Sequence, residues 1–325
     1  MNNLKKVGLS ALAGSMVAFS AQALDMSVSG TAKITYVDEG EGSAGNTDVT
    51  GNPYGFDQTI AFSGSGDTPL GSLSLMHVAN TNGSRSSSLL SIDMGDAGKV
   101  TLDGGVGAAG AGTIKDMMPR AAGAEQSWDD TDGDAYFIDT PSQGAWGYDN
   151  SFAGFDVTIG YAKNGGGNAG DDANVDAGDD SAKSFAVKNS GMFEGVSFGF
   201  GMAETDDTTN LSMINSSTAY ATYAMGPVTV GAQWTDIDNP GGTADASSTL
   251  LGIALNINEN ASISYNQRDV EIGDAGGKDQ EDTGIAASYT MGNMTLSAFN
   301  NSTDNVGGTD GKRDEVTQVT MSFAF

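Results

Sequence analysis

The stretch Met26-Ser27-Val28-Ser29-Gly30-Thr31-Ala32-Lys33-Ile34-Thr35-Tyr36 alternates between two kinds of side chain. Apolar or small residues occupy its even-numbered positions, and polar residues occupy its odd-numbered positions. Successive side chains of a β-strand point to opposite faces, so this period of two predicts a strand with one apolar face and one polar face.

The same alternation recurs through the rest of the chain, and helical periodicity is absent after the first 23 residues. Further copies lie at 56–62, 73–79, 90–94, 100–103, 146–148, 155–161, 184–188, 196–202, 219–225, 228–234, 251–255, 261–267, 284–289, 294–298 and 319–325. Together with the first stretch they predict an all-β chain of about sixteen strands.

The connections between these strands alternate in length. The long ones are predicted at 37–55, 80–88, 104–144, 163–181, 203–216, 235–247, 269–282 and 300–314, and the turns between them are short. Regular alternation of short and long connections is typical of transmembrane antiparallel up-and-down β-barrels, whose apolar face meets lipid and whose polar face lines the interior. A soluble β-sandwich has no reason to keep this asymmetry, although it would also account for buried aromatic residues.

The first segment is predicted to be a signal peptide. Lys5 and Lys6 precede a short apolar stretch at 7–19, and Ala21-Gln22-Ala23 forms a small-residue cleavage site. No later stretch approaches the roughly 18 apolar residues that a membrane helix needs. We therefore expect residues 1–23 to be removed after export and residues 24–325 to form the barrel domain.

Composition excludes several classes of function. The 325 residues include 42 acidic and 14 basic residues, one histidine and no cysteine, with a net charge of −28. The absence of cysteine excludes disulfide scaffolds, thiol catalysis and cysteine–histidine zinc sites. The acidic balance disfavours nucleic-acid binding, which requires a basic surface. We predict no enzymatic activity, because His77 is the only imidazole and lies in mid-strand without an evident partner.

Three segments resemble the general (non-specific) porins of Gram-negative bacteria, most closely the alphaproteobacterial ones. They are LSIDMGDAGKVTL at 90–102, SFAGFDV at 151–157 and YAMGPVTVGA at 223–232, in an order and spacing that extend the resemblance over 24–325. The resemblance implies an outer-membrane homotrimer of sixteen-stranded barrels, each with a water-filled channel that a long, inward-folded third loop narrows. It also implies that the barrel-assembly machinery recognises the last strand through Phe323 and Phe325. The Pro-Glu-Phe-Gly-Gly loop motif of the enterobacterial members is missing here.

In such a channel, small hydrophilic solutes and ions diffuse passively, and charged side chains at the narrow point set selectivity. The predicted constriction loop is 104–144, with the carboxylates Asp116, Glu125, Asp129, Asp130, Asp132 and Asp134. The predicted basic residues of the facing wall are Lys33, Lys99, Lys188 and Arg268. Acids opposite bases would create a transverse field, and the excess of acids predicts a mild preference for cations.

A weak calcium motif lies at Asp172, Asn174 and Asp176, whose oxygen ligands alternate as in an EF-hand loop. It departs from that loop because Ala177 and Lys183 replace the glycine and the bidentate glutamate. No other cofactor is expected.

Other functions remain open at this level. The same fold would suit a substrate-specific outer-membrane channel, or a surface β-barrel or adhesin that conducts nothing. A calcium-stabilised solenoid would require nine-residue Gly-Gly-x-Gly-x-Asp repeats, and the chain has none.

Overall fold

The computed structural model describes residues 25–40, 51–107, 109–128, 131, 137–138, 143–163, 181–207, 212–239, 245–273 and 277–325, and these contain sixteen β-strands. In chain order the strands are β1 (Asp25–Glu39), β2 (Tyr54–Thr68), β3 (Gly71–Asn80), β4 (Arg85–Asp93), β5 (Lys99–Gly104), β6 (Gln143–Phe152), β7 (Phe155–Lys163), β8 (Ser181–Asn189), β9 (Val196–Asp207), β10 (Ser212–Met225), β11 (Val228–Asp238), β12 (Ala246–Asn256), β13 (Ala261–Ile272), β14 (Gln280–Met291), β15 (Met294–Asp304) and β16 (Arg313–Ala324). Short 3₁₀ turns lie at Gly95–Ala97, Gly110–Ile114 and Val306–Gly308. Within these described ranges, no helix is both long enough and apolar enough to cross a membrane.

The sheet closes on itself. Every strand pairs antiparallel with its neighbours in the chain, and β1 pairs with β16 to complete the ring. Closure leaves no strand edge with unpaired backbone groups, which is the condition for a sheet to span lipid. The all-β prediction of an up-and-down barrel with about sixteen strands is thereby confirmed.

The two faces of the wall differ as the alternation predicted. On β1, Met26, Val28 and Ile34 are exposed on the outside, whereas Lys33 and Thr35 face inward. Exposed aromatic side chains mark both ends of the outer surface: Phe152, Phe193, Tyr223, Tyr289 and Phe325 near the short turns, and Tyr36, Tyr54, Trp146, Tyr161 and Trp234 toward the other end. Two aromatic girdles around an apolar band are typical of outer-membrane barrels.

Several strands extend beyond their predicted ends, so two predicted long loops are wrong. β3 ends at Asn80 and β4 begins at Arg85, and β9 ends at Asp207 where β10 begins at Ser212. The ladder continues past the apolar band: Glu204 on β9, for example, pairs with Asn215 on β10. Apolar–polar alternation stops where the outward face leaves the band, because side chains there no longer meet an apolar environment.

Candidate functional site: the interior of the barrel

The connection between β5 and β6, residues 105–142, is called the inner loop, and its described residues lie against the inward face of the wall. Its backbone amides donate hydrogen bonds to hydroxyl groups of the strands. Gly110 N donates to Thr158 Oγ1 on β7 at 3.2 Å, and Ala121 N donates to Ser264 Oγ on β13 at 2.9 Å. This connection, the third on the long-loop side, therefore folds into the barrel, as the resemblance implied.

Gln233 on β11 binds the middle of the inner loop through both ends of its amide. Its Nε2 donates to the carbonyl oxygens of Ile114 at 3.1 Å and Lys115 at 2.9 Å, and its Oε1 accepts from Met117 N at 2.9 Å. Gln233 is almost fully buried by this contact. One inward side chain thus satisfies three backbone groups that would otherwise need water.

Two asparagines extend the same kind of contact around the wall. Asn266 Nδ2 on β13 donates to the Pro119 carbonyl at 3.0 Å, and Asn301 Nδ2 on β15 donates to the Gln126 carbonyl at 2.6 Å. The inner loop therefore follows the wall from β7 to β15.

Glycine provides the space that this close contact requires. A Cβ atom added to Gly252 on β12 would lie 2.9 Å from Pro119 Cδ, and one added to Gly284 on β14 would lie 2.6 Å from Ser127 Cα. Real Cβ atoms do not approach other atoms so closely, so a larger residue would push the inner loop away from the wall. The glycine within these strands is thus explained by the loop that covers it.

Asp116 joins parts of the inner loop to each other. Its carboxylate accepts from Gln126 Nε2 at 3.0 Å and from Trp128 Nε1 at 3.2 Å, and the residue is half-buried. The structure thus places this predicted pore carboxylate inside the loop's own hydrogen-bond network.

Arg268 requires a correction. The residue faces inward from β13, as predicted, but it is fully buried and does not line the open channel. Its Nε donates to Asp282 Oδ2 at 2.7 Å, and the guanidinium carbon lies 4.9 Å from the Phe137 ring and 5.6 Å from the Trp128 ring. Both aromatic residues belong to the inner loop, which therefore covers the ion pair and stacks on the cation.

The remaining predicted carboxylates divide into two groups. Glu125 is half-buried, and its Oε2 lies 3.8 Å from Nη1 of Arg120 on the same loop. The other four lie outside the described residues: Asp129, Asp130, Asp132 and Asp134. Their position in a constriction stays a prediction.

Lys99 and Lys188 border a cavity of about 920 Å³ at the short-turn end of the interior. Lys99 Nζ lies 3.2 Å from Asp149 Oδ2, and Lys188 pairs in register with Asp156 across β7 and β8. Asp93 and Asp96 line the same cavity. Both predicted bases thus have acidic neighbours on the wall itself.

Lys33 borders a second cavity, of about 470 Å³. Asp57, its cross-strand neighbour on β2, lines this cavity as well. From the inner loop, Arg120 and Glu125 border the same space. This cavity therefore lies between the loop and the strands β15, β16, β1 and β2.

Phe325 completes the closure of the barrel. Its backbone N donates to the Gly30 carbonyl at 3.0 Å, and its carbonyl accepts from Gly30 N at 2.8 Å. Its ring lies over Gly30, where an added Cβ would come within 2.6 Å of it. Phe323, two positions earlier, pairs with Ala32 of β1 on the same outward face. Recognition of either residue by assembly machinery stays a prediction.

The predicted calcium residues Asp172, Asn174 and Asp176 lie outside the described residues, as does the predicted signal peptide. In the described part of the chain, no group of three or more potential metal ligands comes together. His77 is exposed on the outward face of β3, opposite Phe62 of β2.

The sequence analysis missed the residues that bind the inner loop. Gln233, Asn266 and Asn301 stand at inward strand positions, where many of the neighbouring inward residues are small or carry a hydroxyl group. These isolated amide side chains were the feature of the sequence that could have identified the partners of the loop. It also missed the wall acids Asp57 and Asp149, which neighbour the predicted bases.

Comparison with known proteins identifies the family in which this architecture occurs. A family model described as Gram-negative porin matches residues 8–325. Three similar solved structures each cover 93% of this chain. An anion-selective porin from Comamonas acidovorans is 15% identical with a TM-score of 0.65 and is covered over 100% of its own length, and OmpF of Salmonella typhi with daunomycin is 12% identical with a TM-score of 0.65 and is covered over 98%. A triple mutant of the Rhodopseudomonas blastica porin is 15% identical with a TM-score of 0.60 and is covered over 100%. At these identities the likeness concerns the fold alone. No curated protein sequence matches the chain.

The family match covers nearly the whole chain, and the closed barrel with its inward-folded third loop agrees with it. The chain belongs to the Gram-negative porin family and forms a transmembrane β-barrel channel of the outer membrane.

Proposed function

We propose that this porin lets small hydrophilic solutes and ions diffuse passively across the outer membrane, with no chemical step. The observation that carries the proposal is the inner loop, whose backbone is fastened to the inward wall by side chains of β7, β11, β13 and β15. A loop fastened to one part of the wall narrows the interior and leaves polar cavities beside it. The only histidine faces outward from β3, so it supports no reaction inside the barrel.

We also propose a mild preference for cations. Among the described residues, Asp93, Asp96, Asp149 and Asp156 line the larger cavity with Lys99 and Lys188, while the smaller cavity has two acids and two bases. The net negative lining raises the local concentration of cations. Because the Debye length is about 10 Å at 0.1 M salt, the preference should weaken as salt rises. The similar porin from Comamonas acidovorans is anion-selective, but it shares 15% of its residues with this chain, so its ion preference carries no argument about this channel.

Reversal potentials in planar bilayers under a KCl gradient test both proposals. We expect discrete ohmic channels that prefer K⁺ at low salt. Asp93→Asn with Asp96→Asn should move the reversal potential toward zero. Glu271→Gln with Glu281→Gln is the matched control, because both residues are exposed on the outward face of β13 and β14 and the change of charge is the same. Absence of channels would refute the diffusion proposal, and anion preference at low salt would refute the cation proposal.

Assembly as a homotrimer is part of the proposal. Its support is the apolar outward face of β1, where the exposed Met26 and Val28 and the small residue Ala32 offer a surface on which a second barrel can pack. Light scattering in mild detergent should give a trimer, and a uniform monomer would contradict it.

Export through a cleaved signal peptide would appear as a mature protein that begins at Leu24.

A further inference from the structure

The cavity of about 470 Å³ is bordered by charges of both signs on each of its two sides. On the wall, Lys33 of β1 and Asp57 of β2 are direct cross-strand neighbours. On the inner loop, Arg120 Nη1 and Glu125 Oε2 are 3.8 Å apart. The sequence predicted acids on the loop and bases on the wall, whereas each side of this cavity carries one acid and one base.

Among the described residues, the rest of the lining is uncharged. It consists of Thr35, Gly123, Ala124, Thr295, Ser297, Phe299, Gln318, Thr320 and Ser322. The volume of the cavity falls within the range of about 300–1,000 Å³ that is typical of small-molecule sites. At about 30 Å³ for each water of the liquid, it is large enough for a small solute together with part of its hydration shell.

Both pairs of charges are attached to positions that the fold fixes. Asp57 Oδ1 accepts a hydrogen bond from Thr81 Oγ1 at 2.9 Å, and Lys33 lies within the continuous ladder between β16 and β2. On the loop, the residue that follows Arg120 donates its backbone amide to Ser264 on β13 at 2.9 Å. The backbone positions from which these charged side chains project are thus set before any solute enters, which lowers the cost of binding.

We infer that this cavity is a transient binding site for small zwitterions, that is, solutes with one ammonium and one carboxylate group, such as α-amino acids. The solute carboxylate would lie toward Lys33 and Arg120, and the solute ammonium toward Asp57 and Glu125. A simple cation or anion meets as many like charges as opposite ones here, whereas a zwitterion pairs both of its groups. The inference rests on the proposed diffusion function and adds a preferred solute class to it.

Glycine and glycolamide provide the test, because they are isomers that differ in being zwitterionic and neutral. Their entry rates into protein-containing liposomes are compared under small gradients, for the wild type and for the variant Lys33→Gln/Asp57→Asn/Arg120→Gln/Glu125→Gln. Exposed ion pairs contribute modestly, so we expect wild-type glycine to enter about two- to fivefold faster than glycolamide and the ratio to fall to about one in the variant. The variant keeps the net charge, so its ion preference should not change.

The control variant Lys183→Gln/Glu204→Gln removes one pair of charges, 2.6 Å apart on the outward face of β8 and β9, and should keep the wild-type ratio. A ratio of one in the wild type, or the same ratio in the wild type and the four-site variant, overturns the inference. If neither solute enters, the diffusion proposal fails instead. The zwitterion site is then decided by nuclear magnetic resonance, where detergent-solubilised wild type should broaden the glycine signal more than the glycolamide signal, and equal broadening overturns it.

Discussion

At the scale of single residues, glycine on the inward face determines how closely the inner loop approaches the wall. Gly284 lies beneath Ser127, whereas Gly64, on the outward face of β2, has nothing within 4 Å of the place a Cβ would occupy. The same residue type is therefore essential at one position and dispensable at the other.

Gly284→Val should displace the inner loop near Ser127 and change the single-channel conductance. The Cβ would lie 2.6 Å from a backbone atom, and overpacking of this kind costs about 1–3 kcal/mol. Gly64→Ala is the control and should leave the conductance unchanged. Equal conductance in wild type and Gly284→Val would show that the loop does not narrow the channel at this point.

The buried Arg268–Asp282 pair leads to a second prediction at this scale. Both side chains are fully buried, so Arg268→Met leaves an uncompensated carboxylate and should cost about 3–5 kcal/mol. Replacing both residues, as Arg268→Met/Asp282→Leu, should cost less than the single change. By contrast, Lys99→Gln breaks a pair that is partly exposed, at 45% and 27%, and should cost about 0–1 kcal/mol. The stability of all three variants is compared by the temperature at which the folded form disappears on heated gels. A double variant less stable than Arg268→Met would contradict the argument.

At the scale of elements, the described residues of the inner loop form one short 3₁₀ turn and otherwise irregular backbone, and the strands supply partners for this backbone. Hydroxyl and amide side chains on β7, β11, β13 and β15 bond to successive parts of it. Burying this irregular segment is possible because its polar backbone groups find such partners.

Gln233→Leu should loosen the inner loop without changing the barrel. It removes partners from the carbonyls of Ile114 and Lys115 and from the amide of Met117, and each buried backbone group left unsatisfied costs about 1–3 kcal/mol. We expect noisier single-channel currents and closure at lower voltage. Gln267→Leu is the control, since Gln267 faces outward from β13 and bonds only to Asp269 among the contacts found in the described residues. Identical current noise in the two variants would rule out this role of Gln233.

At the scale of the whole molecule, the barrel is complete only when β1 meets β16. Phe325 exchanges two backbone hydrogen bonds with Gly30 and places its ring on the outward surface, where it is 69% exposed. An aromatic ring beside a strand glycine is a recognised means of stabilising such a position.

Phe325→Asp should lower the amount of protein in the outer membrane while export continues. The substitution places a charge at the apolar outer surface beside Gly30 and removes the ring that covers this residue. Phe325→Tyr keeps the ring and should restore insertion. Outer-membrane fractions probed with an antibody measure the effect, and an undiminished amount of Phe325→Asp protein would show that the ring is dispensable.

The sequence by itself determined the strands, their number and the barrel class. These follow from alternation within segments such as 26–36 and 319–325 and from the tight turns between strands, and both are local properties of the chain. The prediction of strand ends was limited to the apolar band. The strands continue past this band at Glu204 and Asn215, where the outward side chains are polar and the strand is evident only from its backbone pairing.

Only the tertiary structure decided which inward residues face the open interior. Arg268 and Lys33 both occupy inward positions of strands, and the alternation cannot distinguish them. The inner loop covers Arg268 with Trp128 and Phe137 but leaves Lys33 beside a cavity. The path of the loop depends on contacts between residues far apart in the chain, such as Met117 with Gln233 and Gln126 with Asn301. The periodicity of a single strand carries no information about such contacts, because it reports which face a side chain occupies and not what else packs against that face.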